Sequence, residues 1–553
     1  MTNSTLKWLY PASKKKLFTN RKAILKQLNY NIEQIQTRET GENIVLIGLR
    51  KIGKTLILKE FMQQLIRSKE DCVPVYLDLE GLSLEPRNFS FTYVGYVMHW
   101  FNTRGTIMPM GIGEHKQIYS ELAKIGDHEL IDHVNEMNYL DDEKIIHAAL
   151  NFPELLANRT STNIIILVDE FQQITEVSRN IIPLFRSVLQ TQSRTHYLAA
   201  GSAVHILEKI FKEPESPLFL HFSIIPIKPF TRDDTRNLVK KVFGKTPDTI
   251  SSRIFHLSFG HPFYIYVIAE KLKRFCKIDN LPLTTKLVDK AFFTETLNPD
   301  GKIYNICAYI FKESFRDIRK ESIYRTILKC LAKAGHGTVT QIARETYLDT
   351  AIVGVYFNRL LHTDLVYKEG SEYFFKDSVL RCWMLYTFEG IVLDDYPSHK
   401  ILEELIEQYR EKFEKAASEG GLGFEARVRE LLRLFNGQEV IISNREIELP
   451  TVVSVQNWVL GEIEVDALVR GSVNWIVECK YRGRQMTVND LQKMLDKKQK
   501  VEENEKISIN QLWAISKEGF KLNAVDFARE NGIFISDVDE LNRVARKLGI
   551  RGI

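Results

Sequence analysis

Five short apolar runs punctuate the first part of the chain, at residues 43–47, 73–79, 164–168, 197–200 and 224–227. They are continuous rather than alternating, the pattern of strands buried on both faces. Helical periodicity between them predicts a parallel sheet covered on both sides, within residues 1–230. Residues 83–160 interpose a long, mostly helical insertion to which the sequence assigns no role. Residues 231–315 continue with helical periodicity, and 320–378, within a module over 316–390, read as three short helices followed by a hairpin. The third of these helices carries Val353, Phe357, Leu360 and Leu361 on one face, and Gly370 sits in the hairpin turn, which predicts a winged helix. A charged helical stretch at 391–420 runs into Gly420, Gly421 and Gly423, a domain boundary. Residues 421–553 form a separate α/β unit in which strands and helices alternate.

Composition narrows the class without naming it. The 553 residues are 44% hydrophobic and 26% charged, with a net charge of +4, as in an ordinary globular protein of several domains. That charge permits nucleic-acid binding only through local basic patches. The six cysteines are scattered, with no CxxC pair, so neither a zinc site nor a disulfide framework is legible. No apolar run approaches the ~18–20 residues that span a bilayer, and the first residues lack a signal-peptide core. A cytoplasmic protein is expected.

The first chemical motif is Gly48-Leu49-Arg50-Lys51-Ile52-Gly53-Lys54-Thr55, which fits GxxxxGK[ST]. It follows an apolar strand and opens a helical run, the context the motif requires. The backbone of Gly48, Arg50, Lys51, Ile52, Gly53, Lys54, Thr55 and Leu56 is expected to turn N–H groups toward phosphate oxygens at a helix N-terminus. Lys54 should reach the β- and γ-phosphates of ATP, and Thr55 should place its hydroxyl on Mg2+. The run 164–168 ends in Asp169-Glu170. Two carboxylates closing a buried strand are costly unless they have partners. Asp169 suits a Mg2+ ion held through water, and Glu170 suits the base that polarises the attacking water.

These residues resemble the additional-strand P-loop ATPases, the group of the AAA+ and STAND proteins, and more narrowly the archaeal ATPase family. Leu17-Phe18-Thr19-Asn20-Arg21, Gly48-Leu49-Arg50-Lys51, Gly201-Ser202, Pro229-Phe230-Thr231 and Gly260-His261-Pro262 carry the likeness. The resemblance implies that Phe18 to Arg21, with Asn20 and Arg21 as the cofactor contacts, lie near base and ribose, that Ser202 senses the γ-phosphate, and that 260–262 belong to a helical lid. It also implies a homo-oligomer. Arg186, Arg194 and Arg232 are the candidate arginine fingers, with no choice among them.

The second constellation lies in the C-terminal unit. Gly423-Phe424-Glu425 opens an amphipathic helix, with Glu425 at the edge of its apolar stripe. The run 462–469 alternates, placing Glu462, Glu464 and Asp466 on one face. The return strand 475–480 is apolar except for Glu478 and Lys480, two residues apart on one face. Asp466, Glu478 and the Cys479 carbonyl suit an oxygen-ligated Mg2+ or Mn2+, with Glu425 completing the shell and Lys480 positioning water. Gln492 can orient the site by hydrogen bonding. Lys480, Arg482 and Arg484 form a basic cluster beside it; Lys493, Lys497, Lys498 and Lys500 decorate the next helix, as a solvated face or as phosphate contacts.

Asp466, Glu478-x-Lys480 and the following strand and helix resemble the restriction-endonuclease-like, PD-(D/E)xK, nucleases, in the form seen in archaeal junction resolvases. The whole chain is similar to an archaeal ATPase fused to a DUF234-type domain. The expected fold is therefore an α/β P-loop parallel sheet with a helical lid, a winged-helix module and a restriction-endonuclease-like domain. The expected activity is ATP hydrolysis coupled to metal-dependent DNA cleavage. A nucleotide-controlled switch, or a DNA motor whose last domain holds DNA without cutting, is the alternative.

Overall fold

The structure, a computed structural model, describes residues 10–37, 41–68, 71–105, 107, 109, 112–315, 321–388, 428–429, 431–443, 445–460, 463–480 and 485–548. These fall into two compact units. The first lies within Met1–Ile327, Val339–Ser371 and Val379–Ile406, and the second within Leu328–Thr338, Glu372–Ser378 and Glu407–Ile553. Glu425, Glu462, Arg482, Arg484, the 391–420 stretch and its glycines lie outside the described residues.

The first unit is built on strands β1 (Ile44–Ile47), β2 (Cys72–Asp78), β3 (Asn163–Asp169), β4 (Thr195–Gly201) and β5 (Ser223–Pro226). All five run parallel, in the order β2-β3-β4-β1-β5. β4 therefore separates the strand leading into residues 48–55 from the strand ending in Asp169. Every residue of β1 is buried, and β3 is buried from its second residue onward, so the continuous apolar runs are explained by cover on both faces. Pro74 lies in β2, an edge strand, where a missing N–H costs no ladder bond.

The 83–160 stretch is part of this covering layer. Helices Pro86–Thr103 and Asp142–Thr160 pack on each other and on β2 and β3. The Trp100 indole, fully buried, donates to the Tyr76 carbonyl at 3.0 Å, and the Tyr93 and Tyr197 hydroxyls meet at 3.4 Å. The insertion to which the sequence assigns no role thus covers one face of the sheet at β2 and β3.

Beyond β5, helices Arg232–Val242, Asp248–Ser258, Pro262–Lys277, Thr285–Leu297 and Lys302–Ser314 follow in the helical segment expected there. Two of the signature tripeptides are joined, because Phe230 N–H donates to the Gly260 carbonyl at 2.7 Å. Helices Val339–Thr346 and Thr350–Leu361 pack on each other. Strand β6 (His336–Thr338) precedes them, and β7 (Val366–Glu369) and β8 (Glu372–Phe375) follow, β6 pairing antiparallel with β8.

The C-terminal part of the second unit has an antiparallel pair, β9 (Glu439–Ile442) and β10 (Arg445–Glu448). It also has a five-stranded sheet of β11 (Val452–Leu460), β12 (Ile463–Gly471), β13 (Trp475–Lys480), β14 (Gln511–Ser516) and β15 (Ile533–Asp537) in that order. β11, β12 and β13 form an antiparallel meander, whereas β13, β14 and β15 are parallel. Helices Val488–Glu505 and Leu522–Glu530 supply the two crossovers. One face packs Ala467, Val469, Val477 and Trp513 against Val428, Leu431 and Leu541. The other packs Leu468, Ile476 and Ala514 against Leu491, Met494 and Val501. β9–β11 and β15 are additions to the sequence reading; the alternation of β11 is broken by two register shifts, which hide its period.

Gly260 has φ +73°, and a Cβ there would come within 2.2 Å of the Phe230 carbonyl oxygen. Gly260→Ala is expected to lower unfolding stability by about 2 kcal/mol or more, since strain and clash coincide. Gly354→Ala, mid-helix with only ordinary contact at 3.8 Å, should be neutral or stabilising by up to about 1 kcal/mol. Urea unfolding of the two variants checks this contrast.

Candidate functional site

The phosphate pocket lies at the carboxyl ends of the parallel strands, where open α/β sheets place ligands. β1 runs into residues 48–55 and helix Lys54–Ser68 begins at once. Gly53 takes φ +105° and Lys51 φ +61°, so the chain reverses tightly between strand and helix. Lys54 is only 4% exposed. Its Nζ donates to the Gly48 and Leu49 carbonyls at 2.8 and 2.9 Å. Burial pushes this ammonium down to about 8, against the pull of Glu170 and Asp169.

Asp169 closes β3 beside the loop. The Tyr76 hydroxyl donates to its Oδ2 at 3.0 Å, and the Thr55 hydroxyl donates to the same carboxylate. Burial raises its pKa nonetheless. Asp78, in register with Asp169 across β2 and β3, is raised by burial and by the Asp169 charge. Asp78 and Tyr76 were missed in the sequence, although Asp78 carries the same signal as Asp169, an acid closing an apolar run. The oxygens of Thr55 and Asp169 lie together, a donor set that fits Mg2+.

Glu170 takes φ +51°, a left-handed turn that carries its side chain away from the strand. Its Oε2 accepts from Gln172 Nε2 at 2.6 Å and from Ser202 Oγ at 2.7 Å. Burial raises this carboxyl, but the two hydrogen bonds, with the charges of Lys54 and Arg50, leave it below its ordinary value. It therefore stays ionised, the state a general base would need. Ser202 directly follows β4, the strand beside β1, and its hydroxyl bonds Glu170 directly.

Asn20 and Arg21 both take positive φ, at 56° and 68°, a strained pair of the kind found at binding clamps. Arg21 Nη2 donates to the Ile52 carbonyl at 3.3 Å, and its guanidinium lies 4.7 Å from the Phe230 ring centroid. Burial lowers its pKa to about 10. The segment thus leans on the phosphate loop on one side and on 229–231 on the other. His261 Nε2 lies 3.0 Å from the Arg50 carbonyl, bringing the 260–262 signature onto the same loop.

Of the three finger candidates, Arg194 is at the wrong end of the sheet. Its carbonyl accepts from Ile164 and its N–H donates to Glu154, both at the amino ends of the strands. Arg186 is exposed on helix Ile181–Leu189. Arg232 lies 5.6 Å from the Phe255 ring centroid.

Residues 18–266 match the family model of an ATPase domain predominantly from Archaea. The chain carries an archaeal-type ATPase domain. Among solved structures, a Walker-type ATPase of Pyrococcus abyssi is 15% identical and aligns over 66% of this chain and 96% of its own, at a TM-score of 0.47. The ORC2 protein of Aeropyrum pernix is 12% identical over 70% of this chain and 94% of its own, at 0.40. The RuvB Holliday junction branch migration motor of Thermotoga maritima is 14% identical over 70% of this chain and 100% of its own, at 0.32. These likenesses are too loose to carry residue roles across. No curated protein matches the chain. Among the described residues, no helix is long and apolar enough to cross a membrane.

The second constellation lies on one face of the C-terminal sheet. Asp466 and Glu478 occupy adjacent antiparallel strands, one position beyond the Ala467–Val477 pair. Asp466 Oδ2 accepts from the Cys479 N–H at 2.7 Å, and its own carbonyl accepts from Arg429 Nη1 at 2.6 Å. Glu478 is 5% exposed. Burial, then the Asp466 charge, pushes its carboxyl up to about 7. Burial likewise raises Asp466. Lys480, half-buried, acts electrostatically on both acids. Gln492 turns away and bonds Asp496 at 3.4 Å.

Lys497, read from the sequence only as one of four lysines on a solvated or phosphate-binding face, is an acid's partner instead. Its Nζ meets both Glu478 oxygens, at 2.8 and 2.9 Å. The usable signal was its place one turn beyond Met494, beside the buried stripe of Leu491, Met494 and Val501. Among the described residues, no group of three or more His, Cys, Asp or Glu side chains is gathered for a metal.

A buried lysine near pH 8 should report on bound phosphate. An anion beside Lys54 raises its pKa, so binding takes up a proton wherever the free ammonium is partly neutral. ADP binding at pH 8 is expected to take up about half a proton, and almost none at pH 6.5. Calorimetry in buffers of different ionisation enthalpy measures this, and Lys54→Met should abolish the uptake.

Proposed function

We propose that the archaeal-type ATPase drives or gates a metal-dependent cleavage of DNA in the C-terminal domain. One observation carries the reading: Asp466, Glu478 and Lys480 converge on one face of a mixed sheet, at the end of β13. An antiparallel meander feeding parallel strands through a crossover helix supports a restriction-endonuclease-like domain over 421–553. Residues 1–230 are then the ATPase core, 231–315 the lid, 316–390 the winged helix and 391–420 the linker.

The donor set at the second site fits a hard divalent cation. Two carboxylates and the Cys479 carbonyl offer oxygen only, which suits Mg2+ or Mn2+ and disfavours zinc. Glu425 remains the proposed additional ligand. When bound, the cation supplies a water of lowered pKa and positive charge beside a phosphodiester. The chain supplies the rest. The Cys479 N–H fixes the Asp466 rotamer, Lys497 fixes Glu478, and Lys480 is free to face a phosphate oxygen. In the ATPase, Thr55 and Asp169 would hold Mg2+, and Ser202 would couple the γ-phosphate to Glu170.

The contact between Lys497 and Glu478 also favours a second reading. The ammonium already neutralises the buried acid, so the domain is electrostatically complete as one that holds DNA without cutting. The winged helix is a weaker DNA contact. Its third helix, Thr350–Leu361, exposes Ile352 and Val355 beside its single arginine, Arg359, a surface suited to packing, including packing in a homo-oligomer, more than to phosphate.

Labelled linear, single-stranded and branched DNA, incubated with the full chain and Mn2+ with and without ATP, separates the readings. Cutting that disappears in Glu478→Ala, and that Lys54→Ala slows at least about tenfold in the presence of ATP, is the expected result. DNA bound but uncut under every condition would sink the nuclease and leave the holding domain. Full-rate cutting by Lys54→Ala would separate the two activities.

A further inference from the structure

Of Arg186, Arg194 and Arg232 only Arg194 is excluded by its position, at the amino ends of the strands, and a fourth arginine belongs to the phosphate loop itself. Arg50 belongs to the phosphate loop, two residues beyond Gly48, which follows β1. Its backbone is pinned, because His261 Nε2 meets its carbonyl at 3.0 Å. Its side chain reaches to helix Lys302–Ser314. There Nη1 donates to the Tyr309 hydroxyl at 3.4 Å, and the guanidinium lies 5.0 Å from the Tyr309 ring centroid. Tyr309 is 39% exposed, so this contact is made at the surface rather than in a core. From that position the guanidinium charge is still felt by both Lys54 and Glu170. The backbone places it there too, because Lys54 Nζ donates to the carbonyl of Leu49, the residue before Arg50, at 2.9 Å.

We propose that Arg50 is the γ-phosphate arginine of this ATPase, supplied by the phosphate loop of the same chain, and that the Tyr309 ring holds it in reserve until ATP arrives. With the backbone fixed by His261, only side-chain rotations separate the stacked position from the pocket, and the long arginine stem supplies them. A surface cation–π contact is weak, whereas a guanidinium on a phosphate oxygen makes charge-assisted, forked hydrogen bonds. ATP therefore outcompetes the ring. In the reaction the oxygen of water bonds to the γ-phosphorus. The bond from that phosphorus to the β–γ bridging oxygen breaks, and the β-phosphate keeps the electron pair. One proton of the water passes to Glu170. Arg50 offsets the negative charge on the γ-phosphoryl oxygens as this occurs. Because Arg50 leaves Tyr309 in doing so, the lid helix loses one tie to the loop each time ATP binds.

The test uses the full chain and three substitutions. Arg50→Ala is expected to lower kcat for ATP by about 100- to 1,000-fold. Its affinity for a fluorescent ADP should stay within about threefold of the wild type, and it should fail to trap ADP with aluminium fluoride. Tyr309→Ala, which releases the arginine, should lower the KM for ATP by about two- to fivefold. Arg50→Lys keeps a charge but loses the fork and should lose at least about tenfold in kcat; it serves as the reading if Arg50→Ala does not fold. The proposal is overturned by wild-type turnover or wild-type trapping in the Arg50 variants. It is equally overturned if Tyr309→Ala loses as much kcat as Arg50→Ala, which would make the contact a brace for the lid and nothing more.

Discussion

A buried ammonium organises the first unit. Lys54 is nearly inaccessible, and the loop answers by turning the Gly48 and Leu49 carbonyls onto it. Those are the positions from which phosphate oxygens would draw the lysine away, since a charged acceptor outbids a neutral one. The rest of the pocket follows from the same shortage of solvent. Asp169 must be held by Tyr76 and Thr55, Glu170 by Gln172 and Ser202, and each of these partners sits at the end of a strand or the start of a helix. Parallel strands collect those ends on one side of the sheet, so the architecture supplies the site its crowding of polar groups.

The second unit meets a similar problem with a different solution. Asp466 and Glu478 are buried neighbours whose charges oppose each other, and burial alone would neutralise one of them. Lys497, from the crossover helix, stands where it can share the cost. The same helix packs Leu491, Met494 and Val501 onto the sheet, so the lysine arrives as a consequence of the packing. Ion pair and hydrophobic contact are thus set by one helix orientation.

Much of this was legible in the sequence. The phosphate loop, Asp169-Glu170 and Glu478-x-Lys480 are local patterns. A strand ending in acids, or a loop whose glycines precede a lysine and a helix, declares its geometry within a few residues, because backbone turns and strand alternation are short-range constraints. The five continuous apolar runs announced a sheet covered on both sides for the same reason. The covering role of 83–160 was not legible, because helical periodicity shows that a face is buried without saying against what.

What tertiary structure decided is a set of partnerships between distant positions. Tyr76 with Asp169, Lys497 with Glu478, Ser202 with Glu170 and Tyr309 with Arg50 join residues 93, 19, 32 and 259 positions apart. Each requires a particular strand order or helix orientation, and in one sequence the two members of each pair look like unrelated polar residues. The amino-acid order alone determined which chemical groups exist and where the chain bends to present them. Packing determined which of those groups face one another, because opposing apolar faces must be buried together, and the polar side chains at their margins take the neighbours that this burial assigns.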